Sequence, residues 1–179
     1  ASGARVSVRT RGDCLGWMSS YFDVPYVFGS TPRQSERYTG IDCADVLVAA
    51  RRRDSGANLR YTSVSGIGRL AEAASDVVVL RRDDRVLRDG AMAPVALRWG
   101  TDVRPGDLLA IDYADDPDGE LPRAWDHIGA LLRDSGPGGR PDGVLGGDDL
   151  LRHMGRRGLT DDALHRPGSV RLRVCRWYC

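Results

Sequence analysis

Ile41-Asp42-Cys43-Ala44-Asp45-Val46-Leu47-Val48-Ala49-Ala50-Arg51-Arg52-Arg53, with Asp54-Ser55-Gly56 behind it, carries the strongest local signal in the chain. Asp42 has the short acceptor side chain of a helix cap, Asp45 puts an acid where a helix N-terminus favours one, three arginines fill the last turn, and Gly56 is a stop. The segment predicts a helix whose first residue is Cys43. Working outward, Asp13 followed by Leu15, Trp17, Met18, Tyr21 and Phe22 predicts a short apolar helix over 13–22, ended by Pro25. Residues 1–12 are polar and Arg-rich and read as a frayed lead-in. Toward the C-terminus, Leu70, Ala73 and Ala74 fit a second helix over 63–75 with Ser65 or a nearby hydroxyl as its cap.

From Val77 the apolar period changes to two. Strands are expected at 77–81, 85–88 and 94–98, joined by turns at Asp83-Asp84 and Asp89-Gly90. Arg104-Pro105-Gly106-Asp107 turns the chain into a strand over Leu108–Tyr113, and a loop at 114–125 leads to the apolar strand Asp126–Leu132. A Gly/Pro loop over 134–147 precedes a short strand, Asp148–His153, and the alternation of Val170, Leu172 and Val174 with arginine predicts a strand over 170–178. Helices early and strands late make one α+β domain over 1–179.

Composition narrows the chemistry. The 26 basic residues are all arginine, so mechanisms that need a lysine amine, such as a Walker phosphate loop, a pyridoxal Schiff base or a Ser-Lys dyad, are excluded. A formal charge of +1 over 179 residues argues against a dedicated nucleic-acid binder. The Arg51–Arg53, Arg81-Arg82 and Arg156-Arg157 groups are short and balanced by aspartate, so they read as helix-end or surface charges. Val77–Leu80 is the longest run of valine, leucine and isoleucine, far short of the roughly 20 apolar residues of a membrane span. No membrane partner is expected, and no export leader is visible before Ala1.

Cys14, Cys43, Cys175 and Cys179 form no Cys-x-x-Cys pair, and with three histidines in the chain no zinc site is expected. On one strand Cys175 and Cys179 would lie about 13 Å apart, too far for a mutual disulfide. Cys14 could bridge to either of them, as would suit an exported protein, or all three could remain thiols. Acidic usage is 22 Asp against the three glutamates Glu36, Glu72 and Glu120. Two sets, Asp112, Asp115, Asp116 and Asp118, and Asp134, Asp142, Asp148 and Asp149, invite a calcium hypothesis, although neither has calcium-loop spacing and solvated turns are the simpler reading.

A cysteine that opens a helix can be a nucleophile, because the helix dipole and first-turn amides favour thiolate. Asp42 and Asp45 push the other way, and an isolated cysteine is more often a packing residue. Catalysis also needs an imidazole and a group to orient it. Of the three histidines, His127 alternates with Gly129 on a strand, where a bulky ring beside glycine marks a close approach. His153 ends a short strand, and His165 precedes Arg166-Pro167-Gly168 in a loop. The pairing expected is Cys43 with His127, oriented by His153.

Five ordered segments carry a resemblance. Pro25-Tyr26-Val27-Phe28-Gly29-Ser30, Gly40-Ile41-Asp42-Cys43-Ala44-Asp45, Arg104-Pro105-Gly106-Asp107-Leu108-Leu109, Asp126-His127-Ile128-Gly129 and Leu150-Leu151-Arg152-His153 resemble the motifs of the NlpC family of papain-like bacterial cell-wall cysteine peptidases. The resemblance implies N-terminal helices packed on a small antiparallel sheet, with helix 42–53 against strands drawn from 106–133 and 169–177. It implies Cys43 as nucleophile, His127 as base, His153 as third catalytic residue, Tyr26 lining the cleft and Asp42 recognising a substrate amine. Backbone amides at the start of the Cys43 helix would hold the oxyanion. Ala44-Asp45 stands where the family usually has Ser-Gly, Phe28-Gly29-Ser30 where it has aromatic-Gly-Gly, and the stretch from His127 to His153 is longer, which keeps Asp148 as an alternative orienter.

The expected activity is hydrolysis of an amide bond, in peptidoglycan stem peptides, through a thioester and without a cofactor or metal, by a secreted or periplasmic monomer. A thiol amidase or acyltransferase on another substrate, including a secreted effector, or a catalytically silent binding module of the same fold, would share these residues.

Overall fold

The structure, a computed structural model, describes residues 9, 11–91, 93–113, 125–165 and 168–177. Most of the lead-in, Asp115, Asp116, Asp118 and Cys179 lie outside the described residues. It is an α+β arrangement of a few helices on an antiparallel sheet of eight strands. Helix α1 (Cys14–Met18) is capped by Asp13, whose Oδ1 accepts the Gly16 amide at 3.0 Å, and runs on into a 3-10 turn at Ser19–Tyr21. Helix α2 (Pro32–Glu36), which the sequence did not suggest, is set by a reciprocal capping box between Thr31 and Gln34. Helix α3 (Cys43–Ser55) has the expected ends: Asp42 caps it, and Gly56 closes it at φ 69°.

The expected helix over 63–75 is shorter. Helix α4 (Val64–Leu70), capped by Ser63, gives way to strand β1 (Glu72–Ala73), which pairs with the C-terminal strand. The hairpin of β2 (Val78–Leu80) and β3 (Val86–Arg88) matches the expected turn at Asp83-Asp84, where Asp84 takes φ 63°. The strand expected at 94–98 is reduced to isolated bridges: Pro94 meets Leu87 of the edge strand β3, Arg98 meets Val144, and Trp99 meets Val103.

Strands β4 (Leu108–Tyr113), β5 (His127–Arg133), β6 (Leu150–Gly155), β7 (Gly158–Ala163) and β8 (Val170–Arg176) complete the sheet in the order β3-β2-β8-β4-β5-β6-β7. The C-terminal strand is therefore central, paired with both β2 and β4. The small sheet expected from 106–133 and 169–177 is the middle of a larger one. Two hairpins extend it at opposite edges, and β7 was not anticipated because Asp161-Asp162 has poor strand propensity.

Each sheet face has its own core. On one face Ile128, Ala130, Leu108, Ala110, Met154 and Cys175 pack against α1, α3 and α4; on the other Leu109, Ile111, Leu131, Leu151 and Val174 pack with Leu97, Val103 and Leu145. Asp107, 2% exposed, takes two hydrogen bonds from the Arg176 guanidinium at 2.9 and 2.7 Å, so the Pro-Gly-Asp turn is fastened to β8. Cys175 is a buried free thiol, which removes it as a disulfide partner for Cys14. No helix among the described residues is long and apolar enough to cross a membrane.

Gly129 is the closest approach in the sheet. A Cβ there would come within 2.8 Å of the Arg152 carbonyl, the His153 Cβ and the Leu151 Cγ. Gly129→Ala is therefore expected to lower stability by about 1–3 kcal/mol in urea unfolding, by forcing β5 and β6 apart. An unchanged midpoint would show that the two strands separate at no cost.

Candidate active site

The site lies where the start of α3 meets the start of β5. Pro25 and Val27 bond to Ile41 across a short parallel bridge, with Val27 N to Ile41 O and Ile41 N to Pro25 O both 3.0 Å. That bridge lays Tyr26 beside the helix entry. Asp42 then does several things at once: Oδ1 accepts the Ala44 and Asp45 amides at 3.0 and 2.8 Å, and Oδ2 accepts the Gly29 amide at 3.1 Å. Cys43 follows as the first helical residue, and the backbone N–H of Ile128 on β5 donates to its sulfur. The thiol thus rests against the residue next to His127.

His127 points one ring nitrogen at His153. Nε2 lies 2.7 Å from His153 Nδ1, the rings meeting edge to face at 87° with centroids 4.8 Å apart. Tyr113 stacks on His127 at 6.4 Å between centroids. His153 is buried and sits inside β6, not at its end, and its Nε2 is 3.1 Å from Asp162 Oδ2. Thr160 donates to the same carboxylate oxygen at 2.9 Å. Partial burial pushes the Asp162 carboxyl up, but hydrogen bonds from Thr160 and His153, with the charges of His153 and Arg157, outweigh it and hold it below the usual range.

Asp148, the alternative orienter, is not here. It lines a separate pocket of about 130 Å³ with Asp84, Ser135 and Asp149, and the carboxylate beside His153 is Asp162. The sequence signal for Asp162 was its period-two offset from Thr160 after the Gly155-Arg156-Arg157-Gly158 turn, which only the β6–β7 register joins to His153. His165 is exposed and lies 3.1 Å from Asp84, apart from the other two histidines. Asp134 and Asp149, proposed for calcium, accept backbone amides from Asp142, Gly143, Ser135 and Gly146. Among the described residues no group of three or more His, Cys, Asp or Glu is arranged to hold a metal ion.

A cleft of about 770 Å³ opens over Cys43, walled by Tyr26, Phe28, Asp42, Asp45, Tyr61 and Trp125. Phe28 is 85% exposed at its rim. The Cys43 thiol is pushed up to about 11, first by burial and then by the Asp42 charge, against the lowering effect of the Ile128, Ala44 and Cys43 amides. A resting thiolate is therefore not what this cleft favours. Asp45, which the sequence placed in the first turn as a helix-dipole partner, is 3% exposed and accepts a hydrogen bond from Ser30 Oγ. Its carboxyl is raised to about 6 by burial, in spite of that hydrogen bond, with Asp42 adding repulsion.

No protein-family model matches the chain, and no curated protein matches it.

Two outcomes follow from these charges. Asp42→Asn keeps an acceptor for the helix cap and removes the charge, so iodoacetamide should alkylate Cys43 several-fold faster at pH 8 than in the unaltered protein. Equal rates would leave burial as the whole cause. For Asp45, the folded value of about 6 exceeds the ordinary 3.8, so its favourable contribution is complete below about pH 4 and is lost as pH rises to 6. Asp45→Asn should raise the melting temperature at pH 7 by roughly 2–6 °C and flatten its pH dependence between 4 and 6, as read by calorimetry.

Proposed function

We propose that the protein is a papain-like cysteine hydrolase of NlpC type that cleaves an amide bond in peptidoglycan stem peptides. The observation that carries this reading is the hydrogen-bonded His127–His153 pair, next in chain to the residue whose amide touches the Cys43 sulfur. With Nε2 turned to His153, this reading assigns Nδ1 of His127 to the thiol. Because the thiol is held protonated, the proton moves to His127 Nδ1 as the sulfur attacks the carbonyl carbon, instead of resting there beforehand. The C–S bond forms and the oxyanion develops; collapse breaks the C–N bond while His127 returns the proton to the leaving amine. Water, deprotonated by His127, then hydrolyses the thioester and regenerates the thiol. This cycle balances without a metal or cofactor.

Asp42 engages the amides of Ala44, Asp45 and Val46, so this reading gives the oxyanion to the Cys43 amide, with Tyr26 on the adjoining wall. Asp42 and Asp45 make this end of the cleft electronegative, which suits a substrate amine, although the capping duties of Asp42 occupy part of its acceptor capacity. A cell-wall substrate puts the protein in the periplasm or outside the cell. The buried thiol favours one rival, a binding module of the same fold that does not turn over.

Digestion of purified peptidoglycan, with fragments identified by mass spectrometry, separates the two. The protein should release fragments that name the bond, and Cys43→Ala should lower their rate by at least roughly 10³-fold with an unchanged melting temperature. Binding of the wall without Cys43-dependent fragments would favour the silent module.

A further inference from the structure

We infer that Asp162 is a positioning residue that fixes the tautomers of His153 and His127, holding the His127 proton on Nε2. The inference rests on the hydrolase reading for its kinetic consequence but not for its structural one. The argument is one of hydrogen-bond direction. An ionised carboxylate only accepts, so at 3.1 Å from Asp162 Oδ2 the His153 ring carries a proton on Nε2, and at pH values where the ring is neutral that is its single ring proton. His153 Nδ1 is then an acceptor, and the 2.7 Å contact obliges His127 to donate from Nε2. In that neutral tautomer the His127 ring lone pair is on Nδ1. When Nδ1 takes the thiol proton, both His127 nitrogens carry protons, and the chain of two hydrogen bonds sets that positive charge in line with the Asp162 carboxylate. A rotated His153 would instead present N–H to His127 and turn its basic nitrogen away from the thiol.

The β6–β7 register supports this division of labour. It pairs His153 with Thr160, Arg152 with Asp161, and Leu151 with Asp162, so the two adjacent carboxylates of β7 emerge on opposite faces. Asp161 takes both Arg152 hydrogen bonds at 2.7 Å, and Arg152 in turn donates to the Leu15 carbonyl and to Ser19, fastening the sheet to the helical layer. Asp162 shares its face with His153 and Thr160. Thr160 donates to Asp162, which anchors the carboxylate, while Arg157 stands 4.0 Å from Oδ2. Asp161 is thereby a built-in control: same strand, same charge, different face.

Long-range proton–nitrogen spectra of the 15N-labelled protein read each histidine tautomer directly. Both His127 and His153 should be protonated at Nε2 in the unaltered protein near neutral pH, and Asp162→Ala should convert His153 to a mixture. On a soluble stem-peptide substrate the same variant should lose roughly 10–100-fold in kcat with KM within about twofold, and Asp162→Glu should recover much of the loss. Asp161→Asn should lower stability and leave the tautomers alone. Should the alanine variant fail to fold, Asp162→Asn decides, since removal of the charge alone should still lower kcat. A His153 protonated at Nδ1 in the unaltered protein, or a variant at 162 that changes neither tautomer nor kcat, overturns the inference. Expected tautomers with no cleavage by any variant would sink the hydrolase reading and leave the positioning role standing. Cys43-dependent cleavage that is indifferent to residue 162 does the reverse.

Discussion

Burial of α3 is the constraint on which the rest of the structure depends. Cys43 through Ala50 are all buried, wedged between α1 and the sheet, so a side chain is needed to satisfy the first amides inside the helix and it starts abruptly. Asp42 meets that need with one oxygen on two helix amides and the other on Gly29. The same contacts fix where Cys43 stands, tie the Tyr26–Ser30 segment to the helix entry, and place a negative charge next to the sulfur. A structural requirement of the helix thus sets the electrostatics of the thiol.

The sheet supplies the second half of the site by an equally local device. Absence of a side chain at Gly129 lets β6 close on β5, and that approach brings His153 within hydrogen-bond distance of His127 two residues upstream. Pairing between these strands runs through Ala130 and Leu131 and shifts before Arg133. The buried apolar faces hold the strands in register, because a slip of one residue would exchange the two cores and turn both histidines over.

Charge at the cleft works against stability. Asp45 is held where burial and Asp42 both oppose its ionisation, and the Cys43 thiol is held where the same two influences oppose thiolate. Strain of this kind concentrates at functional sites, where the surrounding fold is strong enough to carry it. Here the carrying structure is a pair of cores on either side of one sheet, reinforced by Arg176 on Asp107 and Arg152 on Asp161.

Wherever a signal is carried by neighbours in sequence, the residues alone determined the outcome. Asp42 and Gly56 marked both ends of α3, Asp13 began α1, the apolar runs in 108–113 and 127–132 and the alternation in 170–176 marked three strands, and glycine beside His127 marked a close approach. What needed the tertiary structure is the pairing of distant segments. Leu70 to Ala74 read as helix because their spacing is apolar, yet β8 recruits Glu72 and Ala73 as a strand. Asp148 lies nearer His153 in sequence than Asp162 does, yet the β6–β7 hairpin, whose acidic strand has little intrinsic tendency to extend, delivers Asp162. Backbone hydrogen bonding across a sheet is indifferent to side-chain identity, so a sequence can declare that strands exist without declaring which carboxylate they bring to which imidazole.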